Sequence, residues 1–281
     1  MIAEEQKPPP GELFLDHVAH FVPDLAAAGA LLETLGFVPT PVSNHEVAGK
    51  PAGTANRCLM LEQGYIEILA PTLDTPNAAR VRAHMARYDG VHLCSFGTPS
   101  ADAEHARLQA HGFEPEPVVR LERKIGDGKK VQFNVVYVPP ERMPEGRVQH
   151  CEHVTPQFLW NEKALAHRNG VTGLAAAYIV ADDPAETAAR WARFAGLMPF
   201  PEHNGVSLKT RRGRIFIGTR DGLSSFLDNV PAAPAIAGYA LTVKDPEVFA
   251  NRCEKAGLKV RRTRTRHCVP LPPALGGTWL F

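Results

Sequence analysis

Three histidines and one glutamate in the first half of the sequence have side chains of the types that serve as ligands of divalent metals in proteins. Glu67 stands between two isoleucines in a predicted strand, where a carboxylate is costly unless it is paired or bound to a cation. His17 lies on an opening strand, His92 falls at the same place in a second, similar segment, and His153 lies on a closing strand. Two or three imidazoles with one carboxylate suit a divalent transition metal with open positions, since a closed structural zinc site would use thiolates. Taken alone, His17 is more typical of a hydrogen-bonded core histidine, and the alternatives for His92 are a position facing the substrate or packing against the sheet. Taken together, the four residues predict a metal site, in which His92 is the optional member.

Three further polar residues are predicted to contact a substrate. His45 precedes the Gly-Thr-Ala-Asn sequence at residues 53–56, in a loop that could line the mouth of a cavity. Asn56 ends that sequence, and its alternative role is a turn, because asparagine tolerates left-handed geometry. Arg123 lies near a predicted hairpin turn and could reach a ligand carboxylate. The alternative for His45 and Arg123 is a solvent-exposed side chain.

These candidates are carried by a segment that the sequence repeats four times. Each copy opens with a short apolar strand, runs through a helix and closes on glycine followed by a hydrophobic residue. The closing glycines are Gly36, Gly112, Gly196 and Gly257. They lie 19, 20, 20 and 19 residues after the strand positions His17, His92, Ala176 and Gly238. Self-similarity at a fixed period predicts a duplicated architecture.

The first copy predicts the secondary structure of the repeating unit. Residues 14–22 have the β-branched and aromatic content of a strand, and Asp24 can cap the helix that follows. Leucines and alanines continue at helical spacing up to Gly36, which supplies a left-handed helix end. Three more strand patterns follow, so the unit is predicted to be βαβββ.

Such units must pair, because one unit alone cannot bury its sheet. The polar segment 161–169 is predicted to link a domain at residues 11–160 to a second domain at residues 170–281, after a flexible N-terminal arm at residues 1–10. The expected fold class is α+β. Each domain is expected to be a mixed sheet curled around a cavity, with helices outside.

The composition excludes several classes of protein. The chain has 281 residues, 44% hydrophobic and 22% charged, with a formal net charge of +1, which is typical of a soluble globular protein. One basic run near residue 264 is insufficient for a nucleic-acid surface. The first residues lack the pattern of a signal peptide, and the longest apolar run is far below the roughly 20 residues of a membrane helix. The predicted partner is a small molecule.

Cysteine usage bears on the compartment. The five cysteines are an odd number, are widely spaced and form no Cys-x-x-Cys pair. This pattern favours reduced thiols in a cytoplasm over a disulfide framework. We therefore expect a cytoplasmic protein without disulfides.

Four short motifs carry a family resemblance. They are Leu-Asp-His-Val at residues 15–18, Gly-Thr-Ala-Asn at 53–56, Tyr-Ile-Glu-Ile at 65–68 and Cys-Glu-His-Val-Thr-Pro at 151–156. With the repeat, they resemble the glyoxalase-like subgroup of the vicinal oxygen chelate superfamily. That superfamily includes glyoxalase I, extradiol dioxygenases and the fosfomycin and bleomycin resistance proteins. The resemblance implies a metal inside the cup, held by the first and last strands of two paired units, and a monomer or homodimer.

The second half of the sequence serves as an internal control. Where the first half has His17 and Glu67, the third copy has Ala176 and Phe216, and the fourth copy has Gly238 at the position of His17. The sequence therefore predicts one cup with a metal site and one cup that has lost it.

The resemblance implies one of three alternative functions. The first is a glyoxalase-like isomerase or lyase in which a divalent metal ion (Zn, Fe, Mn or Ni) stabilises an enolate of a small carbonyl or oxygen-rich substrate and Glu67 moves a proton. The second is an Fe(II) extradiol-type dioxygenase, although such four-unit enzymes hold their metal in the C-terminal cup. The third is a metal-free binding protein of the bleomycin-resistance type.

Overall fold

The structure, a computed structural model, describes residues 2–47, 49–124, 128–263 and 265–281. The predicted α+β class is confirmed: a mixed, curled sheet of 16 strands carries a small number of helices. The side chain of Arg123 and the whole of Arg264 are not among the parts of the chain that the structure describes. Within the described residues, no helix combines the length and the apolar composition that crossing a bilayer requires.

Each of the four copies has the order βαβββ. The first contains β1 (Phe14–Phe21), α1 (Leu25–Thr34), β2 (Ser43–Val47), β3 (Lys50–Met60) and β4 (Tyr65–Pro71), and α2 (Pro76–Met85) follows it. The second contains β5 (Gly90–Gly97), α3 (Ala101–Ala110), β6 (Val119–Lys124), β7 (Lys130–Tyr137) and β8 (Arg147–His153). The third contains β9 (Val171–Val180), α4 (Pro184–Ala195), β10 (Pro199–Glu202), β11 (Gly205–Lys209) and β12 (Arg214–Gly218), before α5 (Arg220–Ser224). The fourth contains β13 (Ala235–Val243), α6 (Pro246–Lys255), β14 (Arg261–Arg262), β15 (His267–Pro270) and β16 (Thr278–Leu280).

Local signals set the ends of the repeated helices. An aspartate or serine side chain accepts a backbone N–H in the first turn of each, which satisfies donors that the helix leaves open. These caps are Asp24, Ser100, Asp183 and Asp245. The closing glycines form or follow the helix C-caps with φ of 80°, 75°, 64° and 82°.

The strand pairing repeats the same rule in both halves. The opening strands of neighbouring copies pair antiparallel, β1 with β5 and β9 with β13, and each closing strand runs parallel beside its own opening strand. The two halves join through β13 and β5, whose register contains the single pair Ile236 and Val91. The sheet therefore continues across the halves, and the division at residues 161–169 stays a prediction.

The largest buried cluster lies between the helices and the sheet. It includes Leu32 and Phe96 from the first half and Trp191, Phe249 and Trp279 from the second. Because this core occupies the helix side of the sheet, the opposite face of the first half is left to line a cavity.

Candidate functional site

A cavity of about 410 Å³ lies on the inner face of the first half. Side chains of a strand alternate between faces, and alternate residues of several strands, among them β1, β3, β4, β7 and β8, line the cavity. They include His17 on β1, Asn56, Cys58 and Met60 on β3, Tyr65, Glu67 and Leu69 on β4, Phe133, Val135 and Tyr137 on β7, and Arg147, Gln149 and Cys151 on β8. The predicted His17, His45, Asn56 and Glu67 are among the lining residues.

His17 and Glu67 lie on neighbouring strands. In the parallel pairing of β1 and β4, His17 is opposite Tyr65 and Ala19 is opposite Glu67. The imidazole of His17 stacks on the Tyr65 ring with centroids 4.3 Å apart. The Asn56 amide donates a 2.6 Å hydrogen bond to Oε1 of Glu67. A carboxylate accepts several such bonds, so this contact orients Glu67 and leaves acceptor capacity for a cation.

Asp16 is a member of the site that the sequence interpretation missed. Its carboxylate is fully buried and lies 2.6 Å from Nδ1 of His17 and 3.0 and 3.1 Å from Nε2 of His153. Burial opposes ionisation of Asp16, but the charge and hydrogen bonds of His153 and His17 prevail and hold its pKa below the ordinary value of 3.8. Because Nδ1 of His17 donates to Asp16, Nε2 is the nitrogen that remains for a ligand. Metal-binding histidines are commonly oriented by a carboxylate in this way.

His153 lies beside Asp16 and is buried among aromatic rings. Its neighbours are Tyr65, Phe133 and Trp160, and its Nδ1 has no hydrogen-bond partner within the described ranges. One nitrogen of His153, a carboxylate oxygen of Asp16 and Sγ of Cys151 lie within 4.8 Å of one another. The structure therefore brings His17 and His153 to one carboxylate, and it offers a second group of donors next to the cavity.

Gln149 is the second residue that sequence reasoning missed. In the first copy Ala19 is opposite Glu67, and in the second copy Ser95 is opposite Gln149. Gln149 thus occupies the position of Glu67 in the second copy. Its Oε1 is buried and has no partner among the described residues, although Gln149 lines the cavity. The signal was present, since Gly-Arg-Val-Gln at residues 146–149 parallels Gly-Tyr-Ile-Glu at 64–67.

His92 is displaced by one residue from the position that the repeat predicted. The β1–β5 register is irregular between Ala19 and His20 and sets Leu93 opposite Ala19, so Leu93 rather than His92 faces the cavity. His92 instead donates from Nε2 to the carbonyl of Tyr88 at 2.9 Å. Burial lowers the pKa of His92 to about 3. A ligand role for His92 stays a prediction, and it receives no place in the proposal below.

The three residues that were predicted to contact a substrate lie in different surroundings. Nδ1 of His45 lies 3.0 Å from Oγ1 of Thr54 at the cavity wall. Asn56 contacts Glu67, as described above. Arg123 belongs to β6, but its side chain lies outside the described residues. The substrate roles of all three remain predictions.

The inner face of the second half is filled by side chains. Ala176 and Phe216 are buried in an apolar cluster with Tyr178 and Leu223. At Gly238 an added Cβ would lie 2.4 Å from the carbonyl oxygen of Thr278, so the backbone itself occupies the space where a ligand side chain would begin. In the described part of the chain, the group of three neighbouring metal-binding side chains lies in the first half.

Gly64 allows β4 to approach β1 closely and thereby positions Glu67 beside His17. Gly64 has φ of 79°, and an added Cβ would lie 2.4 Å from the carbonyl oxygen of Asp16. We expect Gly64→Ala to lower the free energy of unfolding by about 3 kcal/mol, from backbone strain plus this clash. Gly257→Ala is the matched control, because Gly257 has φ of 82° with open space around it, and it should cost only about 1 kcal/mol. Equal losses in urea unfolding would contradict this account of the β1–β4 approach.

Comparison with known proteins gives a family match and fold neighbours. A family model described as Glyoxalase-like domain matches residues 15–195. No curated protein sequence matches the chain. A hypothetical protein from Staphylococcus aureus is 13% identical with a TM-score of 0.65, and the alignment covers 96% of this chain and 98% of that one.

Two enzymes share the fold at similar identity. A mutant of 4-hydroxymandelate synthase from Streptomyces coelicolor is 14% identical with a TM-score of 0.56, covering 96% of this chain and 92% of its own. A Mn(II)-bound glyoxalase from Novosphingobium aromaticivorans is 12% identical with a TM-score of 0.55, and the alignment covers 96% of this chain and 81% of the glyoxalase. At these identities the likeness shows the fold alone.

Proposed function

Because the chain belongs to the glyoxalase-like domain family of the vicinal oxygen chelate superfamily, we propose that it is a metal-dependent enzyme acting on a small carbonyl or oxygen-rich substrate. The reaction is an isomerase or lyase reaction that begins with proton removal next to a carbonyl. The observation that carries the proposal is a cavity whose wall holds His17, Glu67 and Gln149, whose buried Oε1 has no hydrogen-bond partner among the residues that the structure describes.

The donor set fits a divalent metal ion. The set offers one imidazole nitrogen, a carboxylate and an amide oxygen, which suits Zn, Fe, Mn or Ni. A buried amide oxygen without a partner costs free energy, and a cation beside Gln149 would remove that cost. One fold neighbour is described as a Mn(II)-bound glyoxalase, which adds support. We assign His17, Glu67 and Gln149 to the metal.

The remaining polar residues orient these ligands. Asp16 holds His17 in the tautomer that leaves Nε2 open, and His153 holds Asp16 through Nε2. His153 therefore acts through Asp16 in this proposal, in place of the direct ligand role that the sequence predicted. Removing such a supporting residue commonly weakens metal binding.

Glu67 is the residue that moves the proton. Oε1 of Glu67 accepts the Asn56 hydrogen bond and keeps a second acceptor position for the metal, so Oε2 is the oxygen that takes a proton from the substrate carbon and returns it to a neighbouring atom. A divalent metal, when bound, would polarise the substrate carbonyl and stabilise the negative charge that forms on its oxygen. Leu69 and Leu93 line the same cavity and keep bulk water from the carbanion.

Elemental analysis of the purified protein tests this proposal. We expect about one divalent metal ion per chain in the unaltered protein, and a metal affinity reduced by a factor of 100 or more in Glu67→Gln, since a primary ligand is lost. Glu116→Gln is the control, because it also removes a carboxylate from the cavity wall. A metal-free unaltered protein, or equal metal content in both variants, would reject a metal role for Glu67.

A metal-free binding protein is the second candidate function. It is favoured by the fact that Asp16 already satisfies one nitrogen of His17 and one of His153 without an ion. An iron-dependent dioxygenase would share the donor set of the first proposal. Oxygen consumption by the iron-loaded protein with catechols distinguishes it from the isomerase or lyase.

A further inference from the structure

Arg147 places a guanidinium group on the cavity wall, and no carboxylate in the described part of the chain forms an ion pair with it. The residue is half-buried, and its Nη2 donates to Oδ1 of Asn77 at 3.2 Å. Its guanidinium carbon lies 5.6 Å from the centroid of the Tyr137 ring. Within the described residues Arg147 forms no ion pair, whereas Arg80, the other arginine on this wall, lies 3.9 Å from Glu116.

The position of Arg147 relates it to the proposed metal ligands. Arg147 and Gln149 are alternate residues of β8 and both line the cavity. Alternate residues of a strand lie about 6 to 7 Å apart. A small molecule is therefore long enough to contact both side chains. The same cavity also has the apolar side chains of Leu69, Leu93 and Met143 on its wall.

The charges of the cavity decide which anion fits. A planar guanidinium matches a carboxylate with two parallel hydrogen bonds, and a half-buried cation gains from such a partner because it has lost part of its hydration. The wall also carries four carboxylates against its two arginines, namely Glu46, Glu67, Glu116 and Glu122. A phosphate carries up to about two negative charges near neutral pH, so repulsion disfavours it relative to a monocarboxylate.

We propose that Arg147 forms the carboxylate subsite for a small, mainly apolar carboxylic acid. The carboxylate lies against the guanidinium fork, which Asn77 and Tyr137 hold in place, and the reacting carbonyl lies toward His17 and Glu67. The assignment of the reacting end depends on the proposed function, whereas the carboxylate subsite depends only on Arg147 and its surroundings.

The test uses isothermal titration of the purified protein with three phenyl compounds of similar length: phenylacetate and phenylacetamide, which end in planar groups, and phenyl phosphate, which ends in a tetrahedral dianion. We expect phenylacetate to bind best, and Arg147→Gln to weaken phenylacetate at least about tenfold, the effect of a charge-assisted contact. The same variant should leave phenylacetamide within about twofold of the unaltered protein. Arg82→Gln is the control, because Arg82 lies on α2 with an exposed Asp74 as partner and should change neither probe.

Four results would overturn the subsite: no phenylacetate binding by the unaltered protein, tighter binding of phenyl phosphate, no effect of Arg147→Gln, or equal loss of acid and amide. Should Arg147→Gln fail to fold, Arg147→Lys keeps the charge without the fork and should still lose several-fold in phenylacetate affinity alone. Failure of the proposed function is separable. A metal-free protein that still distinguishes acid from amide through Arg147 would reject the metal and retain the subsite.

Discussion

Asp16→Asn is expected to destabilise the protein by about 3 kcal/mol and to weaken metal binding by roughly 10- to 100-fold. The carboxylate of Asp16 is fully buried and accepts hydrogen bonds from both His17 and His153. Removing one partner of such a group leaves the others buried and unsatisfied, which costs several kcal/mol. His17 also loses the contact that fixes its tautomer, which weakens its binding to a metal.

Urea unfolding and metal titration measure the two effects of Asp16→Asn. Asp102→Asn is the control, because Asp102 pairs with Arg120 at the surface and should cost less than about 1 kcal/mol. The pKa of Asp16 is held below its ordinary value. The ionised Asp16 therefore stabilises the folded protein fully at any pH above the ordinary aspartate pKa of 3.8. This stabilisation is lost as the pH falls from that value through the lower pKa of Asp16 in the folded state. A constant gap between Asp16→Asn and the unaltered protein from pH 7 down to pH 2 would contradict the ionised carboxylate.

His20 should make the protein sensitive to mild acid. His20 is fully buried, with Nδ1 donating to the Leu275 carbonyl at 3.0 Å and Nε2 at 2.9 Å from the Tyr239 hydroxyl. Burial lowers the pKa of His20 from 6.5 to about 4, against the opposing effect of the Leu275 hydrogen bond. Below pH 6.5, His20 is therefore protonated in the unfolded chain and still neutral in the folded chain. As a result, the free energy of unfolding falls as the pH is lowered from about 6.5 to the folded-state pKa of His20.

The expected loss from His20 between pH 7 and pH 4.5 is about 2 to 3 kcal/mol, at 1.36 kcal/mol per pKa unit. His20→Gln cannot titrate and should show a smaller loss over this interval by that amount. The measurement is urea unfolding of both proteins at pH 7, 5.5 and 4.5. Parallel losses in the two proteins would refute the assignment to His20, because the other histidines whose pKa is lowered by burial, such as the half-buried His84 and the buried His150, contribute equally to both.

Much of the fold could be predicted because its signals are local and repeated. Asp24 precedes a helix and Gly36 follows its end, and the same pair of signals recurs in each copy. Strand alternation was sufficient to place His17 and Glu67 on one cavity wall. These features depend on the backbone preferences and periodicity of short segments, which a single sequence displays.

The role of Asp16, which escaped prediction, and the position of His92 both depend on strand register. The β1–β5 pairing is irregular on both sides of His17, between Leu15 and His17 and between Ala19 and His20. The first irregularity occurs at Asp16, which reaches both His17 and His153 although alternation would separate Asp16 from His17. The second sets Leu93 where the repeat suggested His92. An extra residue in one strand shifts every later side chain to the other face, and a single sequence contains little information about where this occurs.

The location of the bound ion tests the central claim most directly. Crystals grown with Mn²⁺ can be measured by anomalous diffraction, which identifies the ion independently of any substrate. We predict one site in the first-half cavity, with Nε2 of His17 and a carboxylate oxygen of Glu67 as direct ligands and the amide oxygen of Gln149 as the next ligand. An ion held by Asp16, Cys151 and His153, or an ion on the second half of the chain, would contradict the account.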